Sequence, residues 1–134
     1  IPALKSGFIP NTISTHIHTG SMKAGVKDQL NVVSKFLNIG MNLQQVIAAS
    51  TSLPAQVIHR DDLGHLSANA VADVAVFSLQ KGKFGFVDSG GFVFQGTQKL
   101  ECELTIRDGN VVYDLNGISK PAWDASDPAP AKKK

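Results

Sequence analysis

Cysteine is nearly absent: Cys102 is the sole one in 134 residues, so no internal disulfide can form and no cysteine cluster can hold a metal. Aromatics are few, at 7%. The formal net charge is only +2 and includes the terminal Lys132-Lys133-Lys134 run. The body is therefore close to neutral and offers no clustered basic face, which excludes a nucleic-acid partner. No apolar run approaches the ~20 residues a bilayer requires, so no membrane partner is expected. The opening "IPALKSGFIP" lacks a basic n-region, an apolar h-region and a cleavage site, and so is not a signal peptide. It also lacks an initiator Met, which points to a chain that begins inside a longer one. The single cysteine suits a cytoplasmic location.

What remains is an ordinary globular composition, enough for one domain or part of a larger one. Ala3 to Ser6 reads as a helix end stopped by Gly7. Thr12 to His18 is rich in β-branched residues and reads as a short strand, and Thr19 to Gly25 as a loop. Leu30, Val33, Phe36 and Leu37 then recur at helical spacing up to Gly40. Asn42 with Gln45 forms a capping-box pattern for a helix over Leu43 to Ala49. Ser52 with Pro54 opens another helix, running to about His59.

The second half is β in character. Val71 to Leu79, Phe84 to Val87, Phe92 to Phe94, Leu100 to Arg107 and Val111 to Asp114 read as strands. Asp108-Gly109 is a two-residue hairpin turn, and Asp88 to Gly91 a second hairpin. In "KLECELTIR" the alternation puts Cys102 on the buried face, as a structural thiol. Beyond Gly117 periodicity ends, and 118–134 is expected to be a disordered tail.

Within Thr12 to His18 sits His16-Ile17-His18, the spelling of many metal sites. Three readings stand: a pair of strand-end histidines satisfied by neighbours or water, a metal pair, or a proton-transfer group. Two ligands alone make a weak site. The strand itself has no obvious partner, since several helices separate it from the next one. Such a strand belongs to a parallel sheet whose other members lie elsewhere.

The ordered stretches "TISTHIHTGSM", "VVSKFLNIGM", "STSLPAQVI", "DLGHLSANAVADVAVF" and "CELTIRDGNVVYDLNG" together resemble the C-terminal portion of the amidohydrolase superfamily, in its dihydroorotase-like amidohydrolase/deacetylase branch. The resemblance runs from about Leu4 to Trp123. "FGFVDSGG" followed by "GTQKL" narrows it to the deacetylase-like branch.

The fold class this implies is α/β: the C-terminal fragment of a (β/α)8 barrel followed by an antiparallel β-sandwich segment. Residues 1–60 would be the last barrel strand and closing helices, and 61–117 the sandwich share. A complete barrel takes ~250 residues, more than this chain holds. The family's metal-binding HxH lies on the first barrel strand, whereas this stretch matches the last, where the pattern is Ser-Thr-Asp-x-His. Ser14, Thr15 and His18 fit, and His16 stands in place of the catalytic aspartate.

By resemblance, that aspartate takes a proton from a metal-bound water and delivers it to the leaving group. His16 is therefore the catalytic-position residue and a possible metal ligand. His18, Thr19, Gly20 and Ser21 form the substrate-binding stretch, with Met22 beside them. The family implies a divalent metal, zinc first among candidates, and a small amide or ester substrate; no metal is expected for this chain alone. Histidine at position 16 removes a negative charge from the site, so hydrolysis is expected to be crippled. His59, His65 and the Asp61-Asp62 pair read as surface or loop residues, with Arg60 a partner for the carboxylates. Asp73 reads as fixing the turn into its strand.

Two functions follow. One is the C-terminal portion of a metal-dependent hydrolase of cyclic amides, N-acyl groups or related esters, inactive as this chain. The other is a non-catalytic truncated relative serving as a binding or assembly module. An isolated end-of-barrel segment would expose the apolar faces of Ile13, Ile17, Leu30, Val33 and Phe36, and self-association through edge pairing or a composite barrel is expected unless the helices fold back to cover the strand.

Overall fold

The computed structural model describes residues 2–23, 25–88 and 90–125. Five short helices precede one antiparallel sheet: α1 (Pro2–Lys5), α2 (Thr19–Lys23), α3 (Gln29–Asn38), α4 (Leu43–Ala48), α5 (Ser52–Val57), β1 (Val74–Val87), β2 (Val93–Arg107) and β3 (Asn110–Asp114). Helix ends fall where side chains satisfy free backbone groups. Asp28 accepts from Asn31 N–H at 2.6 Å to start α3. The box expected at α4 is complete, with Gln45 N–H on Asn42 and Asn42 N–H on Gln45 at 2.9 Å each. Pro54 sits in the first turn of α5, where its missing N–H costs nothing.

The core lies between α3, α4 and β2. Ile13, Val33, Leu37, Met41, Val46, Ala49 and Leu100 are buried together, with Phe36 and Phe77 packed against them. Fully burying a side chain of this size contributes roughly 1.5–3 kcal/mol. The helices thus fold back over Ile13 (7% exposed) and Val33 (2% exposed), the exception under which those faces are not expected to lie open. Ile17 does remain exposed.

Strand order is β1-β2-β3. From Val74 on, the expected segments Val71 to Leu79 and Phe84 to Val87 are one strand, as from Val93 are Phe92 to Phe94 and Leu100 to Arg107, because a bulge carries the ladder across the polar middle. Lys81 faces Gln98 and Phe84 faces Gly96, so Gly82 and Lys83 together oppose Thr97. A second bulge, at Glu103, breaks the alternation that placed Cys102 inside. Leu100 and Leu104 are buried, whereas Cys102 is half-buried with Sγ 3.4 Å from Thr105 Oγ1. Asp108 (φ 48°) and Gly109 (φ 74°) make the expected two-residue turn. The hairpin at Asp88 also forms, its carboxylate accepting from Gly90 and Phe92 N–H.

β3 pairs with β2 only from Leu104 to Arg107, which leaves the rest of that edge of the central strand without a neighbouring strand among the described residues. α3 covers it with side chains. Asn38 Oδ1 accepts from Thr97 N–H (2.8 Å) and Gln98 N–H (3.2 Å), while its Nδ2 donates to Gln98 O and Ser34 O, both at 2.7 Å. One turn earlier, the fully buried Ser34 accepts from Leu100 N–H at 3.0 Å. An amide side chain thus stands where a peptide of a neighbouring strand would stand, and it satisfies the Thr97 and Gln98 backbone groups there.

Thr12 to His18 is not a strand. It is an irregular segment held by Ile13 N–H on Ala49 O (2.8 Å) and by Gln29 Nε2 on Ile13 O (3.2 Å). No strand among the described residues lies alongside to form a ladder, so a helix-end carbonyl and a side-chain amide satisfy its backbone instead. Thr19 to Lys23, expected as loop, is the short helix α2. Of the tail, residues through 125 are turns and bends, with Trp123 97% exposed; 126–134 fall outside the described residues. No helix among the described residues is long and apolar enough to cross a membrane.

Candidate functional site

The segment that leaves the core at Ile13 reaches the surface at His16, whose φ of 47° is left-handed. That conformation costs a non-glycine residue on the order of 1 kcal/mol or more and turns the chain away from extension. His18 follows and caps α2. Its Nδ1 accepts from Gly20 N–H (3.1 Å) and its carbonyl from Met22 N–H (3.0 Å). Ser21 Oγ accepts from His18 N–H at 2.9 Å, and its hydroxyl faces the carbonyls of His16 (2.9 Å) and His18 (3.0 Å). One serine therefore gathers the His16–His18 turn, and the two imidazoles meet edge to face with centroids 5.1 Å apart.

His16, His18, Thr19 and Gly20 are exposed, and Ser21 is half-buried. The fold does bring the expected residues together in one small surface feature. It does not add a third metal ligand: no group of three His, Cys, Asp or Glu side chains converges among the described residues. His18 Nδ1 is already occupied by a backbone donor. Since a catalytic zinc takes three protein ligands and an open position, these two residues do not fit one by themselves.

The other singled-out residues have structural duties. Asp62 pairs with Arg60 through two contacts, at 2.8 and 2.7 Å. The guanidinium hydrogen bond holds the Asp62 carboxyl down at about 2, from an ordinary 3.8. A pKa lowered in the fold gives stability that is present above the unfolded value and lost as pH falls through the folded one. Carbon-detected titration of Asp62 should give a midpoint near 2, moving up toward the ordinary range in Arg60→Gln. An unchanged midpoint would mean that the pair is not what lowers it.

His65 Nδ1 accepts from Ser67 N–H at 3.3 Å, which leaves Nε2 to donate to Asp61 O at 2.7 Å. His59 occupies a left-handed position (φ 57°) just after α5, with Arg60 N–H returning to Ala55 O. Asp73 acts further away than expected. It accepts from Asp108 N–H (2.8 Å), and Gly109 N–H reaches Ala72 O (3.0 Å), so the start of β1 fixes the β2–β3 turn. Ser34 and Asn38 escaped the sequence reading. Their only signal is that two polar residues one turn apart interrupt the apolar run "VVSKFLNIG".

No family model matches the chain. It is 36% identical over 104 residues to a deacetylase of Brucella anthropi, a match covering 78% of this chain and 26% of that protein. A deacetylase of Agrobacterium fabrum is also 36% identical, over 91 residues, covering 68% of this chain and 22% of its own length. The chain thus spans about a quarter of the length of the curated relatives it matches. Among solved structures, an adenine deaminase superposes with a TM-score of 0.78 at 26% identity, over 84% of this chain and 31% of that one. A dihydroorotase superposes with a TM-score of 0.76 at 30% identity, with the same coverage. Both match over their C-terminal part.

Proposed function

Because the chain belongs to the amidohydrolase superfamily, we propose that it is the C-terminal portion of a metal-dependent hydrolase acting on cyclic amides, N-acyl groups or related esters, and that it is inactive alone. The observation that carries this is the His16–Ser21 turn. The stretch resembling the family's catalytic strand end folds as one exposed feature, yet presents imidazole where the family has a carboxylate. Were the longer protein to hold a metal here, an aspartate at position 16 would stay ionised beside it and could accept a proton, whereas an imidazole serving as a ligand would be neutral and no longer a base. Position 16 is thus the catalytic position. His18 and the first turn of α2, Thr19 to Ser21, shape the substrate side. Any metal, zinc first among candidates, would take its main ligands from parts of the longer relatives that have no match here. The alternative, a non-catalytic assembly module, draws support from the same histidine.

The two are separated by a chimera in which this chain replaces the matching part of the Brucella anthropi deacetylase. We expect a soluble chimera that retains metal by elemental mass spectrometry and hydrolyses N-acetyl substrates poorly. His16→Asp should raise turnover by at least about 100-fold, the usual worth of a positioned general base. Equal activity with His and Asp would sink the role of position 16. A soluble, metal-loaded chimera that stays inactive even when it carries His16→Asp would favour the assembly reading. About one zinc on the unfused chain, lost on His16→Ala, would show that His16 and His18 make a site of their own.

A further inference from the structure

A cleft of about 490 Å³ opens between the first turns of α3 and the sheet, within the size range of small-molecule sites. It exists because the uncovered edge of β2 is only partly filled. Ser34 and Asn38 serve Leu100 and Gln98, β3 begins its pairing at Leu104, and Glu101-Cys102 between them face the opening. Its walls are apolar at Leu30, Phe84, Leu100 and Leu115, with Tyr113 at one side.

The charge around it is unbalanced. Three ammonium groups, Lys27, Lys83 and Lys99, line it against two carboxylates, Asp28 and Glu101. Both carboxylates are engaged: Asp28 caps α3 through Asn31 N–H, and Glu101 pairs with Lys99 at 3.2 Å. Lys99 Nζ also stands 5.7 Å from the centre of the Phe84 ring. Among the described residues, Lys27 and Lys83 have no carboxylate within ion-pair distance. Lys83 owes its place to the Gly82-Lys83 bulge, which lets it line the cleft together with its neighbour Phe84. Lys35, close by, has its pKa lowered mainly by burial and further by repulsion from Lys27, against the pull of Asp88.

We propose that this cleft binds a small organic carboxylate with an apolar body, its carboxylate between Lys27 and Lys83 and its body against Phe84, Leu100 and Tyr113. The surplus of ammonium groups disfavours cations, and the apolar walls disfavour a bare inorganic anion. The Leu100 wall is held in advance by the Ser34 hydrogen bond, so the ordering required on binding falls on the Lys27 and Lys83 side chains. This reading is independent of the hydrolase proposal, since no residue of the His16–Ser21 turn takes part.

The test is amide-resolved NMR titration of the whole 134-residue chain with benzoate, and with benzyl alcohol as the uncharged counterpart. Saturable shifts are expected at Lys27, Lys83, Glu101 and Tyr113 with benzoate, and binding about tenfold weaker with the alcohol. The double variant Lys27→Gln/Lys83→Gln, both exposed positions, should weaken benzoate by about tenfold and leave the alcohol unchanged. Shifts that never saturate, shifts mapping away from the cleft, or an unchanged benzoate affinity in the double variant would each overturn the proposal.

Discussion

Asn38→Ala should destabilise the fold by about 3 kcal/mol, read as a fall in melting temperature on the order of 10 °C. The side chain makes four hydrogen bonds, three of them to the backbone of Thr97 and Gln98 at the open edge of β2. Removing it strands the partly buried Gln98 N–H and carbonyl and the exposed Thr97 N–H, and each unmet buried group costs about 1–3 kcal/mol. The total stays below the simple sum because water can reach some of them. Asn38→Asp keeps both acceptor contacts but sets a carboxylate oxygen against the Ser34 and Gln98 carbonyls, so near neutral pH it should lose at least as much as alanine. A loss under about 1 kcal/mol in Asn38→Ala would mean that water replaces the amide freely.

Gly64→Ala should cost about 2–5 kcal/mol. The residue sits at φ +76°, and a Cβ there would lie 2.5 Å from Thr51 O and 2.8 Å from Ser52 N. Both neighbours are backbone at the start of α5, so neither can rotate out of the way. Two penalties therefore add: a left-handed alanine, roughly 1–2 kcal/mol, and a displaced helix start, roughly 1–3 kcal/mol. Gly7→Ala separates them, because Gly7 has φ +89° with nothing within 4 Å of its added Cβ. It should lose only the conformational part. Equal losses at the two sites, measured by denaturant unfolding, would remove the clash from the explanation.

Much of the fold was legible where a local rule has a local cause. Asn42 and Gln45 announced their helix because the two groups that satisfy each other are three residues apart. Asp108-Gly109 announced its turn because only those φ values close it. What escaped depends on distant partners. Thr12 to His18 has strand composition, yet a strand needs a neighbour, and here it finds Ala49 O and the Gln29 amide instead. The bulges at Gly82-Lys83 and Glu103 show only in the register between strands, so four expected segments became two and Cys102 came halfway to the surface. At the candidate site the resemblance located His16 and its neighbours. It did not foretell the left-handed turn, which depends on Ser21 reaching back to two carbonyls.

The amide of Asn38 also acts as a gauge. Apolar surfaces tolerate sliding, but a helix keyed to the Thr97-Gln98 backbone of a strand cannot shift by a turn, about 5.4 Å, without losing every bond at once. The position of α3 along β2 is therefore discrete, and everything hung from α3 inherits it. Gln29, at the other end of that helix, grips Ile13 O, three residues before His16. The sheet, more than half the chain away in sequence, thereby sets where the His16–Ser21 turn meets the surface.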